Sequence, residues 1–313
     1  MYVRFYSLSQ KYLYNVRMPK LKNLLYILLA ILIISVFVYF FTQKSASSSY
    51  TLPKIIWMYW DTPELPKLIQ QIQTYNRPKL EGWDIRFLNN TLLPNYIHNE
   101  EYPKNYNSLK HQHQADWIRM NLLSKHGGCW MDASIIVNDP DALNRLHRQS
   151  VARQSHFTGF SYRNNEANSI SDRNISLYIE NWFIMAPVDS IIIREWYHEY
   201  HKAVEMGFVA YKHNLTNENV DLHMIWNKSI DTEIYLTQHA CLQYILQKKL
   251  AVIPPIIINH AEKDMLFTSG DSKESRMKLL RNQPEEARKI PYIKLIGSDR
   301  GTGIDITPFF NTD

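Results

Sequence analysis

The chain has 313 residues, 45% hydrophobic and 21% charged, with a net charge of +5. That balance excludes a disordered or fibrous protein and gives enough apolar material for one large domain or two small ones. Five positive charges (Arg4, Lys11, Arg17, Lys20, Lys22) sit in the first 22 residues, leaving the remainder near neutral, which excludes a nucleic-acid-binding body.

Residues 1–23 form a basic tail. Residues 24–41, LLYILLAILIISVFVYFF, are 18 consecutive residues without a charge. As a helix they cover about 27 Å, close to the hydrocarbon thickness of a bilayer. A core helix would show a polar face every turn, and this one shows none. The run is also longer than the apolar part of a cleaved signal peptide. It is expected to be an uncleaved signal anchor. The basic side of the span faces the cytoplasm, so residues 42–313 are expected in the ER or Golgi lumen, as a single-pass type II membrane protein. Four N-x-Ser/Thr sequons, at Asn89, Asn174, Asn214 and Asn227, fit a lumenal glycoprotein.

A polar, serine-rich stem follows at 42–52, and the main folded domain is expected over 53–313. LPKIIWMYW (52–60) predicts a buried first strand, and 63–75 has apolar residues at helical spacing. GWDIRFLNN (82–90) predicts a second strand; strand, helix, strand within about forty residues is the pattern of a parallel βαβ unit. A helix is predicted over 108–126, with Ala115, Ile118, Leu122 and Leu123 on one face. Gly127 matches a left-handed helix end. CWM then runs into Asp132, and SIIV (134–137) reads as a further strand. Strands are predicted at 156–162 and 180–186, helices at 190–207 and 237–250, and an extended segment at 252–260. The stretches 138–180 and 207–236 otherwise carry no clear pattern. Cys129 and Cys241 are too few for a disulfide framework, although one bridge between them is possible.

In an open α/β sheet, ligands bind beyond the carboxyl ends of the strands, where Asp132 emerges. A carboxylate there, followed by a small residue and a hydroxyl, suits a divalent cation carrying a diphosphate. A turn or capping aspartate is the plain alternative. His111 and His113 lie two apart on a helix and so point in different directions, which argues against a metal pair. His198 and His201 fit a polar helix face.

The ensemble Asp116-x-x-Arg119, Gly127-Gly128, an apolar pair and Asp132-Ala-Ser134 resembles the DxD-containing sugar-transferase and capsular-polysaccharide-synthesis-like families. PKIIWMYWD, ENWFIMA, TQHA and KLIGSDR resemble their other segments, over about residues 53–300. The resemblance implies an α/β fold of GT-A type: a Rossmann-like, mostly parallel sheet flanked by helices. It implies a glycosyltransferase moving a hexose from a UDP- or GDP-linked sugar to a glycan or glycolipid hydroxyl, with retained configuration.

Carried over by match, Asp116 and Arg119 would hold the ribose or the sugar, and Asp132 the metal or sugar hydroxyls. Lys294 and Arg300 would neutralise the diphosphate. Glu180, Asn181, Gln238 and His239 sit at element ends where the acceptor would approach. Asn181 and Gln238 are the expected sugar-face contacts, and Glu180 the group that takes the acceptor's proton. Mn²⁺ or Mg²⁺ would be held by Asp132, Ser134 and a late histidine, His260. Ser134 stands where the common pattern has aspartate, and a hydroxyl is the poorer ligand, so metal dependence is expected to be weak or lost. A non-catalytic sugar- or partner-binding protein on a degenerate transferase fold is the alternative, and Ser134 is its best support.

Overall fold

The computed structural model describes residues 50–162, 178–222, 225, 234–266 and 273–311, with Tyr26 and Leu32 in addition. By compactness the chain divides into Met1–Ser49 and Tyr50–Asp313. The expected anchor and stem fall almost wholly outside the described residues, as do the sequons at Asn174 and Asn227. Among the described residues no helix is long and apolar enough to cross a membrane.

The second unit is built on a six-stranded sheet. Its strands are β1 (Ile55–Tyr59), β2 (Asp84–Leu88), β3 (Gly128–Met131), β5 (Phe157–Tyr162), β6 (Tyr178–Ala186) and β7 (Ile256–His260), in the order β2-β1-β3-β6-β5-β7. β1 is parallel to both β2 and β3, and β5 to β7, while β6 is antiparallel to β3 and β5. Five strands therefore run one way and β6 alone runs back. The expected α/β sheet, mostly parallel and flanked by helices, is what the fold contains.

The central strands are apolar along their whole length because both faces are covered. In β1, Trp57 and Tyr59 enter one core, and Ile56 and Met58 the other. The first core is closed by α2 (His111–His126), α4 (Ile191–Met206), α5 (Phe208–Asn217) and α6 (Thr237–Tyr244), the last running on into a π-turn over Ile245–Lys249. The second core includes Leu143 and Leu146 of α3 (Pro140–Ala152). A third cluster joins Ile69 and Ile72 of α1 (Lys67–Asn76) to Ile136 and Ile293. These last two belong to a separate antiparallel ribbon, β4 (Ile135–Val137) with β8 (Tyr292–Lys294).

Two glycines make the sharp passage from α2 into β3. Gly127 has φ +59° and Gly128 φ +95°. A Cβ at Gly127 would stand 2.7 Å from the backbone nitrogen of Val188, and one at Gly128 would stand 2.8 Å from the carbonyl oxygen of Ile55. Only glycine satisfies both the dihedral and the close approach. Cys129 and Cys241 are buried and free, and they pack in different cores.

Candidate active site

The carboxyl ends of β1 and β3 and the start of the reversed β6 open at the same edge of the sheet. A cleft of about 610 Å³ lies there, lined by Tyr59, Trp60 and Asp61 after β1, by Asp132, Ala133 and Ser134 after β3, and by Tyr178, Glu180 and Asn181 in β6. Asp116 and Arg119 of α2, His239 of α6, and Lys294 and Arg300 line it too.

Asp132 is placed by the sheet. Its backbone N–H donates to the Trp182 carbonyl at 2.9 Å, and the chain then turns, Ile135 N–H donating back to the Asp132 carbonyl at 3.0 Å. β4 follows at once, and its register sets Ile135 opposite Lys294. A lysine 162 residues along the chain thus reaches the turn, and its Nζ donates to Asp132 Oδ2 at 2.7 Å and to Ser134 Oγ at 3.0 Å. Ser134 Oγ in turn donates to the Leu295 carbonyl at 2.8 Å.

The other carboxylate oxygen, Asp132 Oδ1, accepts from Arg119 Nη2 at 3.1 Å and from Trp130 Nε1 at 2.9 Å. Arg119 Nη1 donates to Asp116 Oδ1 at 2.5 Å, the i,i+3 pair of α2, and to Gln238 Oε1 at 2.9 Å. Asn181 Nδ2 donates to the same Asp116 oxygen at 3.0 Å and to Gln238 Oε1 at 2.5 Å. Gln238 Nε2 donates to the Asp116 carbonyl at 2.8 Å. The Arg119 guanidinium lies 4.9 Å from the centre of the Trp130 ring.

The Asp132 side chain keeps 26% of its surface open to the cleft, against 4% for Arg119 and 6% for Lys294. Burial pushes the Asp132 carboxyl up, but Lys294 and Arg119 outweigh it and bring it down to about 2. Burial also pulls the Lys294 ammonium below its ordinary value, an effect that Asp132 opposes.

Most of the expected residues come together. Asp116, Arg119, Asp132, Ser134, Lys294, Arg300, Glu180 and Asn181 all line the cleft. Arg300 is the exposed cation among them, its guanidinium 5.7 Å from the Trp60 ring and donating to the Leu295 carbonyl at 3.2 Å.

Two expectations need correction. Gln238 is fully buried and does not face the cleft. Its amide is spent on Arg119, Asn181 and the Asp116 backbone, and Trp196 Nε1 donates to its carbonyl at 2.7 Å. It supports the guanidinium from behind. His260 ends the edge strand β7, opposite Ser161. Two strands separate it from β3, about 14 Å at the usual strand spacing, and it is no part of the cleft.

His111 and His113 diverge as their spacing requires. His111 lines the cleft mouth 3.4 Å from Asp61, while His113 is buried with Nδ1 3.7 Å from Asp116 Oδ2. His201 Nδ1 accepts from Trp117 Nε1 at 3.3 Å. His239 carries more weight than its sequence context suggested. It is buried beside the Tyr178 ring, both ring nitrogens lack a hydrogen-bond partner among the described residues, and Nε2 stands 3.8 Å from Glu180 Oε2. Trp60 and Asp61 were open to the strand-end argument that singled out Asp132. Tyr178 and Tyr235 had no comparable signal.

The donor set does not suit a divalent cation. Among the described residues no three His, Cys, Asp or Glu side chains converge as ligands. Asp132 is the one carboxylate of its turn, both its oxygens accept from protein cations, and the Ser134 hydroxyl is buried and doubly bonded.

No curated protein sequence matches significantly. Among solved structures the chain is similar to the crystal structure of a glycosyltransferase involved in the glycosylation of the major capsid of PBCV-1. The two are 11% identical, and the alignment covers 79% of this chain and 97% of that one with a TM-score of 0.36. A score that low leaves the likeness without weight for either fold or function. The family described as capsular polysaccharide synthesis protein matches residues 34–253. With most of the compact unit inside that match, and with Asp116, Arg119 and Asp132 gathered at the carboxyl edge of the sheet, this chain belongs to the capsular polysaccharide synthesis protein family.

Proposed function

We propose that the chain is a glycosyltransferase of GT-A type that moves a hexose from a nucleotide diphosphate sugar to a hydroxyl of a glycan or glycolipid, with retention of configuration. One observation carries the reading: side chains from α2, the β3–β4 turn, β6, α6 and the segment after β8 converge on one cleft at the carboxyl edge of the sheet. In that cleft Trp60 and Tyr59 flank the nucleotide. Arg300 meets the diphosphate, whose departure needs positive charge on its oxygens. Asp116 and Arg119 set the sugar face, Arg119 being held rigid by Asp132 and Gln238. Glu180 takes the acceptor's proton, and His239 beside it accepts or donates a hydrogen bond to the incoming hydroxyl. The protein is a single-pass type II membrane protein with Tyr50–Asp313 in the ER or Golgi lumen, the support being the basic tail before the apolar run 24–41.

The test is release of nucleoside diphosphate from a panel of UDP- and GDP-sugars by the full-length protein in detergent, with candidate acceptors. Turnover that falls by about 100-fold or more in Glu180→Gln, with donor affinity retained, supports the reading. The second reading, a sugar-binding protein without turnover, is favoured by Asp132 being fully engaged. It predicts tight donor binding and no release with any acceptor.

A further inference from the structure

The β3–β4 turn presents one carboxylate and one hydroxyl where the related pattern has two carboxylates. Between them stands not open space but the Lys294 ammonium, 2.7 Å from Asp132 Oδ2 and 3.0 Å from Ser134 Oγ. These are the positions from which the first and third residues of a DxD-type motif would reach a cation. The charge balance is the same in both arrangements. Two carboxylates with a divalent cation sum to zero, and so does one carboxylate with one ammonium. A second carboxylate at position 134 would call for more positive charge than one lysine supplies; the serine removes that need.

The geometry of Lys294 also leaves it able to act on a ligand. An ammonium has three N–H donors, and the two bonds above use two of them. The residue lines the cleft, so the third proton is available to an oxygen lying there. Arg300 adds a further positive charge to the same cleft, and an exposed one. On the far side of Asp132, Arg119 Nη2 and Trp130 Nε1 close the other oxygen. A divalent ion entering here would have to displace an ammonium already paired with Asp132, and among the described residues no three His, Cys, Asp or Glu side chains converge to hold it.

We infer that Lys294 is a built-in substitute for the divalent cation: its ammonium, fixed by Asp132 and Ser134, hydrogen-bonds the diphosphate of the donor, and donor binding is independent of metal. This rests on the proposed transferase reading, and it assigns the recognised ligand as a nucleoside diphosphate group.

Thermal shift of the full-length protein in detergent, with UDP and GDP as probes, tests it. Each probe is titrated in EDTA and again in Mn²⁺. The expected result is the same rise in melting temperature and the same apparent Kd in both. Lys294→Ala should weaken that Kd about 10- to 100-fold in EDTA, the value of a charge-assisted hydrogen bond. The paired change Ser134→Asp with Lys294→Ala rebuilds two carboxylates around an emptied position, and it should recover binding only when Mn²⁺ is added. A rise seen in wild type only with Mn²⁺ overturns the inference and leaves the transferase reading standing. No rise with either nucleotide, with or without metal, overturns both. Because the wild-type comparison needs no substitution, the inference stays falsifiable even if the variants fail to fold.

Discussion

Gln238→Ala separates the sequence's expectation for this residue from the place the fold gives it. If Gln238 touched sugar, truncation would slow turnover and leave the protein as stable as before. The fold puts it behind Arg119, fully buried, accepting from Arg119 Nη1 at 2.9 Å and from Asn181 at 2.5 Å and donating to the Asp116 carbonyl at 2.8 Å. Truncation leaves an N–H of a buried guanidinium and the Asp116 carbonyl without this partner. Each such loss costs about 1–3 kcal/mol, the charged group near the top of that range, with a small cavity in addition. A total of about 4 kcal/mol follows, which for a unit of this size lowers the melting temperature by roughly 8–16 °C. Differential scanning fluorimetry measures this directly. Steady-state kinetics below the melting transition should show KM for the donor rising more than kcat falls, because Arg119 loosens. A variant that melts with wild type but has lost turnover would refute the placement and restore the sugar contact.

Two further outcomes follow, one from the site and one from the fold. Asp132 titrates at about 2 in the folded protein against 3.8 when unperturbed. A carboxyl depressed in this way stabilises the fold above its unfolded value and loses that contribution as pH falls through the folded one. The melting-temperature gap between wild type and Asp132→Asn should therefore be constant above about pH 5 and narrow from about pH 4 towards pH 2; a gap that holds through that window would contradict the paired carboxylate. In Gly128→Ala the new Cβ meets the Ile55 carbonyl of β1 at 2.8 Å with φ at +95°, whereas at Gly82, with φ at +81°, nothing lies within 4 Å. Chemical denaturation should show Gly128→Ala losing about 2 kcal/mol or more and Gly82→Ala only about 1 kcal/mol; equal losses would remove the steric argument.

The parts of the fold that were legible in the sequence are those whose signal is local. β1, α2, β3 and β6 were visible because a continuous apolar run, a helical spacing or a glycine pair lies within a dozen residues. The strand-end argument then placed Asp132 at a cleft before any strand order was known. What was not legible depends on partners far along the chain. SIIV read correctly as a strand, but its pairing with Tyr292–Lys294 is what delivers Lys294 to Asp132, and nothing near residue 135 signals it. His260 was placed at the site because it follows a strand and matches the late histidine of the resembled families. Its distance comes from β7 pairing with β5 at the sheet's edge, a property of strand order alone. α3 and α5 fall in stretches where polar residues crowd the pattern and only tertiary burial shows the apolar face.

Helix α2 shows why the polar side chains of the cleft are held so firmly. Its spacing suggests one apolar face, yet its residues are buried nearly all round, from His113 through Asp116, Trp117 and Arg119 to Leu123. The reason is α4, which lies over the side that would otherwise meet water. With no solvent to satisfy them, the polar residues of α2 must find partners inside the protein. Four of them bond to distant segments: Asn121 with Glu101 and Tyr197, His113 with Tyr200, Asp116 with Asn181, and Arg119 with Gln238 and Asp132. Arg119 therefore cannot swing towards a ligand without breaking bonds to two other elements, α6 and the β3–β4 turn. Its guanidinium is preorganised before any donor arrives, which is the condition for fixed charges to favour a developing one over a resting one. The cover provided by α4 is therefore part of the site, although α4 contributes no residue to the lining of the cleft.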